Sequence, residues 1–154
     1  MINPNTMSVR FAFVFLLLFN FGFSQNRLPL IPQPKSIQKS KGNFVLNKET
    51  VIQAGNKMFE AHYLQLAIKQ QTGLDLKIIP VAESGNIIKL TVKIQETFTS
   101  QKGKYAIFIS KNQIAINSEE NSGLFYGIQT LLQLFPSDTK NEVQIPCIQI
   151  NDKP

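Results

Sequence analysis

Apolar residues fall at helical spacing in two stretches of the chain and alternate with polar ones in several others. Lys57 to Thr72 reads as the first helix, with Gly55-Asn56 as its start signal. Gly73 stands at the C-terminal cap position, where a left-handed backbone suits glycine. Its buried face is expected at Phe59, Tyr63, Leu66 and Ala67. The second helix carries Leu124, Phe125, Ile128, Leu131, Leu132 and Phe135 on one face and ends at Phe135, before Pro136. Ser118 is its expected N-cap, with Glu119 and Glu120 in the first turn, where carboxylates interact favourably with the helix dipole. Gly123 and Gly127 lie four apart on this helix. Glycine inside a helix costs about 1 kcal/mol relative to alanine, so the pair predicts a backbone held close against a neighbour.

Period-two alternation is cleanest over Ile87 to Gln95, where Ile88, Leu90, Val92 and Ile94 point one way and Lys89, Thr91, Lys93 and Gln95 the other. Lys104 to Ser110 and Gln113 to Asn117 read as a hairpin joined through Lys111-Asn112. Shorter strands are expected at Ser36 to Gln38, Asn43 to Leu46 and Thr50 to Gln53, the first two turning at Lys41-Gly42. Further strands are expected at Leu74 to Val81 and Glu142 to Ile150. Leu28 to Pro34 is punctuated by prolines and reads as an extended lead-in, because each proline removes a ladder donor. Strands with one apolar face and two amphipathic helices give an α+β class, a mostly antiparallel sheet with both helices packed on its apolar face.

The first residues alter the composition. Arg10, the run Phe11 to Phe19 and the small residues Gly22 and Ser24 have the layout of a secretory signal, so residues 1–24 are expected to be removed and the protein exported, periplasmic or secreted. Met7 is an alternative start. An uncleaved membrane anchor is the rival, but the apolar run is interrupted by Asn20 and falls short of the roughly 20 residues that span a bilayer; with the leader removed, no membrane association is expected. Six of the 12 phenylalanines leave with the leader, and the net charge falls from +6 to +5 with Arg10. What remains is about 130 residues, the size of one domain with one core. Its lysines are scattered, without an arginine cluster or interleaved aromatics, which argues against a nucleic-acid partner.

Candidate chemistry is sparse. Cys147 is the only cysteine, so it forms no disulfide within the chain and reads as a small buried hydrophobe. His62, the single histidine, sits within the first helix as a packed or half-exposed residue. One His and one Cys make no metal cluster, and no phosphate loop or zinc-protease motif appears. No cofactor is expected. Glu119-Glu120 is the only adjacent acidic pair, and the helix dipole accounts for it.

Four segments together resemble a known family. LIPQPKSI at the lead-in, the alternation of Lys104 to Asn117, the helix GLFYGIQTLLQL and the closing IQINDKP are similar to the N-terminal domain of glycoside hydrolase family 20, the β-N-acetylhexosaminidases. The resemblance covers Leu28 to Pro154 and is most specific at Tyr126-Gly127-x-Gln129-Thr130-Leu131-x-Gln133-Leu134. It implies a zincin-like domain without zinc that precedes a catalytic (β/α)8 barrel acting on amino-sugar glycans. In the family that barrel releases terminal N-acetylglucosamine or N-acetylgalactosamine: a glutamic acid protonates the leaving oxygen, and the sugar's acetamido oxygen attacks while an adjacent aspartate orients it. This chain contains no Asp-Glu dipeptide, and none of its 10 acidic residues matches a catalytic position. The expected catalytic set within these residues is therefore empty, and the barrel is expected to be a missing partner, with the chain stopping at the interdomain link.

Positions that match the family pattern are Gly123, Tyr126, Gly127, Gln129, Thr130, Leu131 and Gln133 on the helix, and Asp152 and Pro154 at the link. A packing role is expected for them. Gln129, Thr130 and Gln133 either bridge to the barrel or satisfy groups within this domain. The rival to an inactive front domain is a free-standing module of the same fold that binds a glycan or protein.

Overall fold

Alternating aliphatic residues build the sheet in rows. The computed structural model describes residues 28–82, 85–93, 102–137 and 141–154; the expected leader, and Ile94 and Gln95 of the strand expected over Ile87 to Gln95, lie outside the described residues. The elements in order are β1 (Ser36–Leu46), β2 (Val51–Gln53), α1 (Met58–Thr72), β3 (Lys77–Ile79), β4 (Ile87–Val92), β5 (Tyr105–Ile109), β6 (Gln113–Ser118), α2 (Asn121–Leu132) and β7 (Val143–Asp152). They form one sheet in the order β1-β7-β5-β6-β4-β2-β3.

The sheet is mixed. Pairing is antiparallel from β1 through β7 and β5 to β6, which includes the longest ladder, and parallel from β6 through β4 and β2 to β3. Residues directly opposite one another share a face. One row across the sheet therefore runs Ile78, Ile52, Ile88, Ile114, Ile109, Ile148, and the next runs Leu90, Ile116, Ile107, Ile150, Ile37. Most of these side chains are buried in one core with Leu64 and Ile68 of α1 and Leu124, Ile128 and Leu131 of α2. Each such aliphatic side chain contributes about 1.5–3 kcal/mol on full burial. The α+β class and the hairpin of β5 and β6 agree with the sequence pattern.

Several boundaries differ. The strands expected at Ser36 to Gln38 and Asn43 to Leu46 are one continuous strand, because both halves pair with β7. Lys41-Gly42 forms an irregularity in that strand, with Gly42 at φ 101°, while the register steps from Lys39 opposite Ile148 to Asn43 opposite Pro146. Pro146 cannot donate to a ladder, and it lies in the half of β7 that β5 does not pair. The strand expected at Leu74 to Val81 shrinks to Lys77–Ile79, since its only partner, β2, offers three residues. Helix α2 stops at Leu132 and leaves Phe135 in the turn that follows.

The face of α1 is only partly the expected one, since Tyr63 and Ala67 pack half-buried against the core while Phe59 and Leu66 do not. Its buried residues are Glu60, Ala61, Leu64, Ile68 and Thr72, whereas Phe59 is 80% exposed and Leu66 56% exposed. Two apolar stripes occupy this helix: Ala61, Leu64 and Ile68 face the sheet, and Phe59, Tyr63 and Leu66 form the other, with Tyr63 beside α2. Both stripes have helical spacing, so periodicity does not distinguish them. Gly73 does adopt the left-handed C-cap, its N–H donating to Lys69 O.

Candidate functional site

Helix α2 lies on the sheet where glycine permits it. A Cβ added at Gly123 would meet the backbone carbonyl of Lys104 and, at 2.8 Å, the Ser118 Oγ. One added at Gly127 would lie 2.5 Å from Ile116 Cγ2 and 3.3 Å from Tyr105 Cδ2. Leu131, a turn further on, is fully buried. The approach places Thr130 of the helix against polar groups carried by the strands.

Those groups form a buried cluster at the end of the sheet. The third row across the strands is Val92, Ser118, Tyr105, Asp152, so polar residues sit where the apolar rows end. Tyr105 and Asp152 are 4% and 8% exposed. Tyr105 Oη lies 2.7 Å from Thr130 Oγ1 and donates to Asp152 Oδ2 at 3.2 Å. A phenol has one proton, so with that proton on Asp152 the Thr130 hydroxyl donates to Tyr105. Asp152 Oδ1 accepts the Lys35 N–H at 3.1 Å, which ties the lead-in to the last strand. Burial, opposed by the Thr130 hydrogen bond and reinforced by the Asp152 charge, pushes the Tyr105 phenol up to about 12. The group is a fixed donor at neutral pH and no proton shuttle.

The other pattern positions find partners within the domain. Gln129 Nε2 donates to Tyr63 Oη at 2.7 Å, and Gln133 Oε1 accepts the Ile31 N–H at 2.8 Å. Tyr126 and Pro154 both flank Gly103, where an added Cβ would lie 3.2 Å from Tyr126 Cε2 and 3.7 Å from Pro154 Cδ. Thus Gln129, Thr130 and Gln133 each bond inside this domain. Tyr63, Tyr105 and Lys35, their partners or those of Asp152, carry no signal in local sequence, because each contact depends on strand or helix placement.

The acidic pair behaves differently from the sequence expectation. Helix α2 begins at Asn121 with Glu120 as its N-cap residue, so neither glutamate is in the first turn. Ser118 ends β6, and its hydroxyl donates to Glu120 O and accepts the Glu120 N–H, holding the turn ahead of the helix. Glu120 Oε1 accepts the Gly103 N–H at 2.9 Å, and Glu119 lies 3.5 Å from Lys104 Nζ. His62 is exposed and Cys147 is buried and free. Among the described residues no group of three His, Cys, Asp or Glu is placed to hold a metal ion. A depression of about 240 Å³ on the outer sheet face is lined by Ala106, Asn117, Asn151 and Lys93, with Glu119 its only acid.

A second surface lies over the helices. Phe59, Leu66, Phe125 and Tyr126 are each at least 40% exposed. The Tyr63 and Phe125 rings lie 5.3 Å apart, and those of Phe125 and Tyr126 6.3 Å apart. Spacing puts Phe125 on the buried face of α2, yet it stands outward beside Tyr63 of α1.

The family model for glycosyl hydrolase family 20, domain 2, matches residues 27–153. A beta-hexosaminidase of Porphyromonas gingivalis is 30% identical over 134 residues, which cover 81% of this chain and 17% of that protein. Among solved structures, a mutant Streptomyces plicatus beta-hexosaminidase in complex with GlcNAc is similar at a TM-score of 0.68 and 22% identity, covering 81% of this chain and 26% of that one. A Flavobacterium johnsoniae chitobiase is similar at a TM-score of 0.62 and 26% identity, over 82% of this chain and 21% of that one. The chain thus spans only 17% to 26% of the length of these relatives.

Proposed function

The chain belongs to glycosyl hydrolase family 20 as an N-terminal hexosaminidase domain, and from this we propose that it is the accessory front domain of an exported β-N-acetylhexosaminidase. The substrate class is glycans ending in non-reducing N-acetylglucosamine or N-acetylgalactosamine, and the partner is a catalytic (β/α)8 barrel. The observation that carries the reading is the family match over residues 27–153, taken with the 17% of the Porphyromonas relative that this chain covers.

The chemistry of the described residues supports an accessory role. Glycoside hydrolysis needs a raised-pKa acid at the leaving oxygen and a second group, here the substrate's own acetamide held by a carboxylate, across an open cleft. Asp152 is buried and bonded to Lys35 N and Tyr105, while Glu119 and Glu120 contact Lys104 and Gly103. Their contacts brace the sheet end against α2, and the domain's contribution is a rigid platform for the enzyme that follows it.

The test is direct. The 154-residue product, assayed with an aryl N-acetyl-β-glucosaminide, is expected to give hydrolysis indistinguishable from buffer; turnover that survives repurification overturns the accessory reading.

A further inference from the structure

The helices cover one face of the sheet, and the other face has its own chemistry. Its rows across the central strands are Lys89, Ala115, Phe108, Gln149, Gln38 and Thr91, Asn117, Ala106, Asn151, Ser36. Neither row holds an acid, and Phe108, 41% exposed, is the one large apolar side chain in them. Amide side chains predominate. Each offers a donor and an acceptor on one group, the combination that hydroxyl and acetamido groups of a sugar can answer.

Two hollows open side by side on this face. One, of about 240 Å³, has Ala106 at its floor with Asn117, Asn151 and Lys93 around it. The other, of about 270 Å³, lies between Phe108, Ala115, Gln113 and Gln149. Ala106 and Phe108 are successive residues of β5 on this face, about 7 Å apart along the strand, so the hollows adjoin. The short side chains of Ala106 and Ala115 leave the room, and Phe108 supplies an apolar surface for the C–H side of a sugar ring.

The charge of the groove selects among glycans. Glu119 is the only acid lining either hollow, and its carboxylate lies 3.5 Å from Lys104 Nζ. Lys93 and Lys89 enter no ion pair among the described residues. These cations are single and spaced, which suits a polymer with one charge per repeat better than a densely sulfated one.

We propose that the outer face of β5, β6 and β7 binds an acidic glycan in which hexosamines alternate with uronic acids. The hexosamine part of this assignment rests on the front-domain reading; the acidic part rests on the lysines. One ring lies against Phe108 with its polar groups on Gln149 and Gln113, and the next sits over Ala106 between Asn117 and Asn151, its carboxylate at Lys93. Held there, the polymer is kept at high effective concentration beside an enzyme that trims its end.

The test is a titration of the nitrogen-15-labelled 154-residue product with a hyaluronan hexasaccharide, followed by NMR. Saturable shifts are expected at the amides of 106–108, 115–117 and 149–151. Lys93→Gln is expected to weaken binding about fivefold, and Phe108→Ser by at least as much, each with an otherwise native spectrum. Lys48→Gln, at an exposed turn off this face, is expected to leave affinity unchanged. Absence of shifts on this face, or an equal loss in Lys48→Gln, overturns the site. Equal affinity for chitohexaose overturns the acidic class, and equal affinity for an oligothymidylate of the same charge reduces the effect to bare polyanion attraction and overturns it too. The front-domain reading survives each of these results; it falls instead if the same product hydrolyses an aryl N-acetyl-β-glucosaminide.

Discussion

Replacing Gly123 with alanine reverses the usual sign of that substitution. In a solvent-exposed helix Gly→Ala stabilises by about 1 kcal/mol. At Gly123 the new methyl would lie 2.8 Å from Ser118 Oγ and 3.1 Å from the Lys104 carbonyl carbon, with the carbonyl oxygen nearer still. The Lys104 obstacle is backbone, and Ser118 is held by both its bonds to Glu120. Relief therefore requires α2 to lift from the sheet, which loosens Leu124, Ile128 and Leu131, all fully buried. Overpacking of this kind costs typically 1–3 kcal/mol, and a backbone obstacle places it near the top, about 3 kcal/mol. Subtracting the gain in helix propensity leaves a net loss of about 2 kcal/mol. Gly127→Ala meets side chains, Ile116 and Tyr105, which have some freedom to shift, so its loss is expected to be smaller. Ser122→Ala, exposed on the same helix, is the control and is expected within about 0.5 kcal/mol of the parent. Urea unfolding followed by circular dichroism gives the ranking from midpoints at a common slope. A Gly123→Ala protein as stable as its parent, or more so, would refute the close helix–sheet contact.

Other outcomes follow from the same geometry. Tyr105→Phe leaves Asp152 and Thr130 each short of a hydrogen-bond partner and is expected to cost about 1–2 kcal/mol by urea unfolding; an unchanged midpoint would remove the cluster from any account of stability. With the Tyr105 phenol raised from 10.0 to about 12 in the folded protein, its stabilising term is complete below pH 10 and is lost as pH rises through 12. That loss is about 2–3 kcal/mol, seen as a steeper alkaline decline in the parent than in Tyr105→Phe; equal slopes would contradict the assignment. Phe59→Ser, at a side chain 80% exposed, is expected to shift the stability of the 154-residue product by no more than about 0.5 kcal/mol. A large loss there would place Phe59 in the core after all.

Local pattern was enough for some of this fold and not for the rest. The hairpin of β5 and β6 and the glycine-marked helix were legible because alternation and spacing over a few residues determine them. The inward face of α1 was not, because Ala61, Leu64, Ile68 and Phe59, Tyr63, Leu66 satisfy the same period. Continuity of β1 across Lys41-Gly42 depended on β7, a hundred residues away in sequence. The contact of Tyr105 with Asp152 likewise required the strand order, which no local signal supplies. Family membership was readable through four short segments in order, and the family comparison agrees with it. What those segments do not encode locally is their set of partners: Tyr63 for Gln129, Ile31 for Gln133, Lys35 for Asp152.

The pairing of the first strand with the last has a consequence for biogenesis. Among the described residues β1 is an edge strand whose only partner is β7, and Lys35 reaches Asp152 across 117 residues of sequence. As the polypeptide emerges from the ribosome, Ser36 to Leu46 has no ladder to join until Val143 to Asp152 appears. Contacts so distant in sequence slow folding, because the loop must close before the pairing repays it. The domain therefore has a late closing step, and a nascent chain interrupted before residue 143 leaves its leading strand as an open template for other chains.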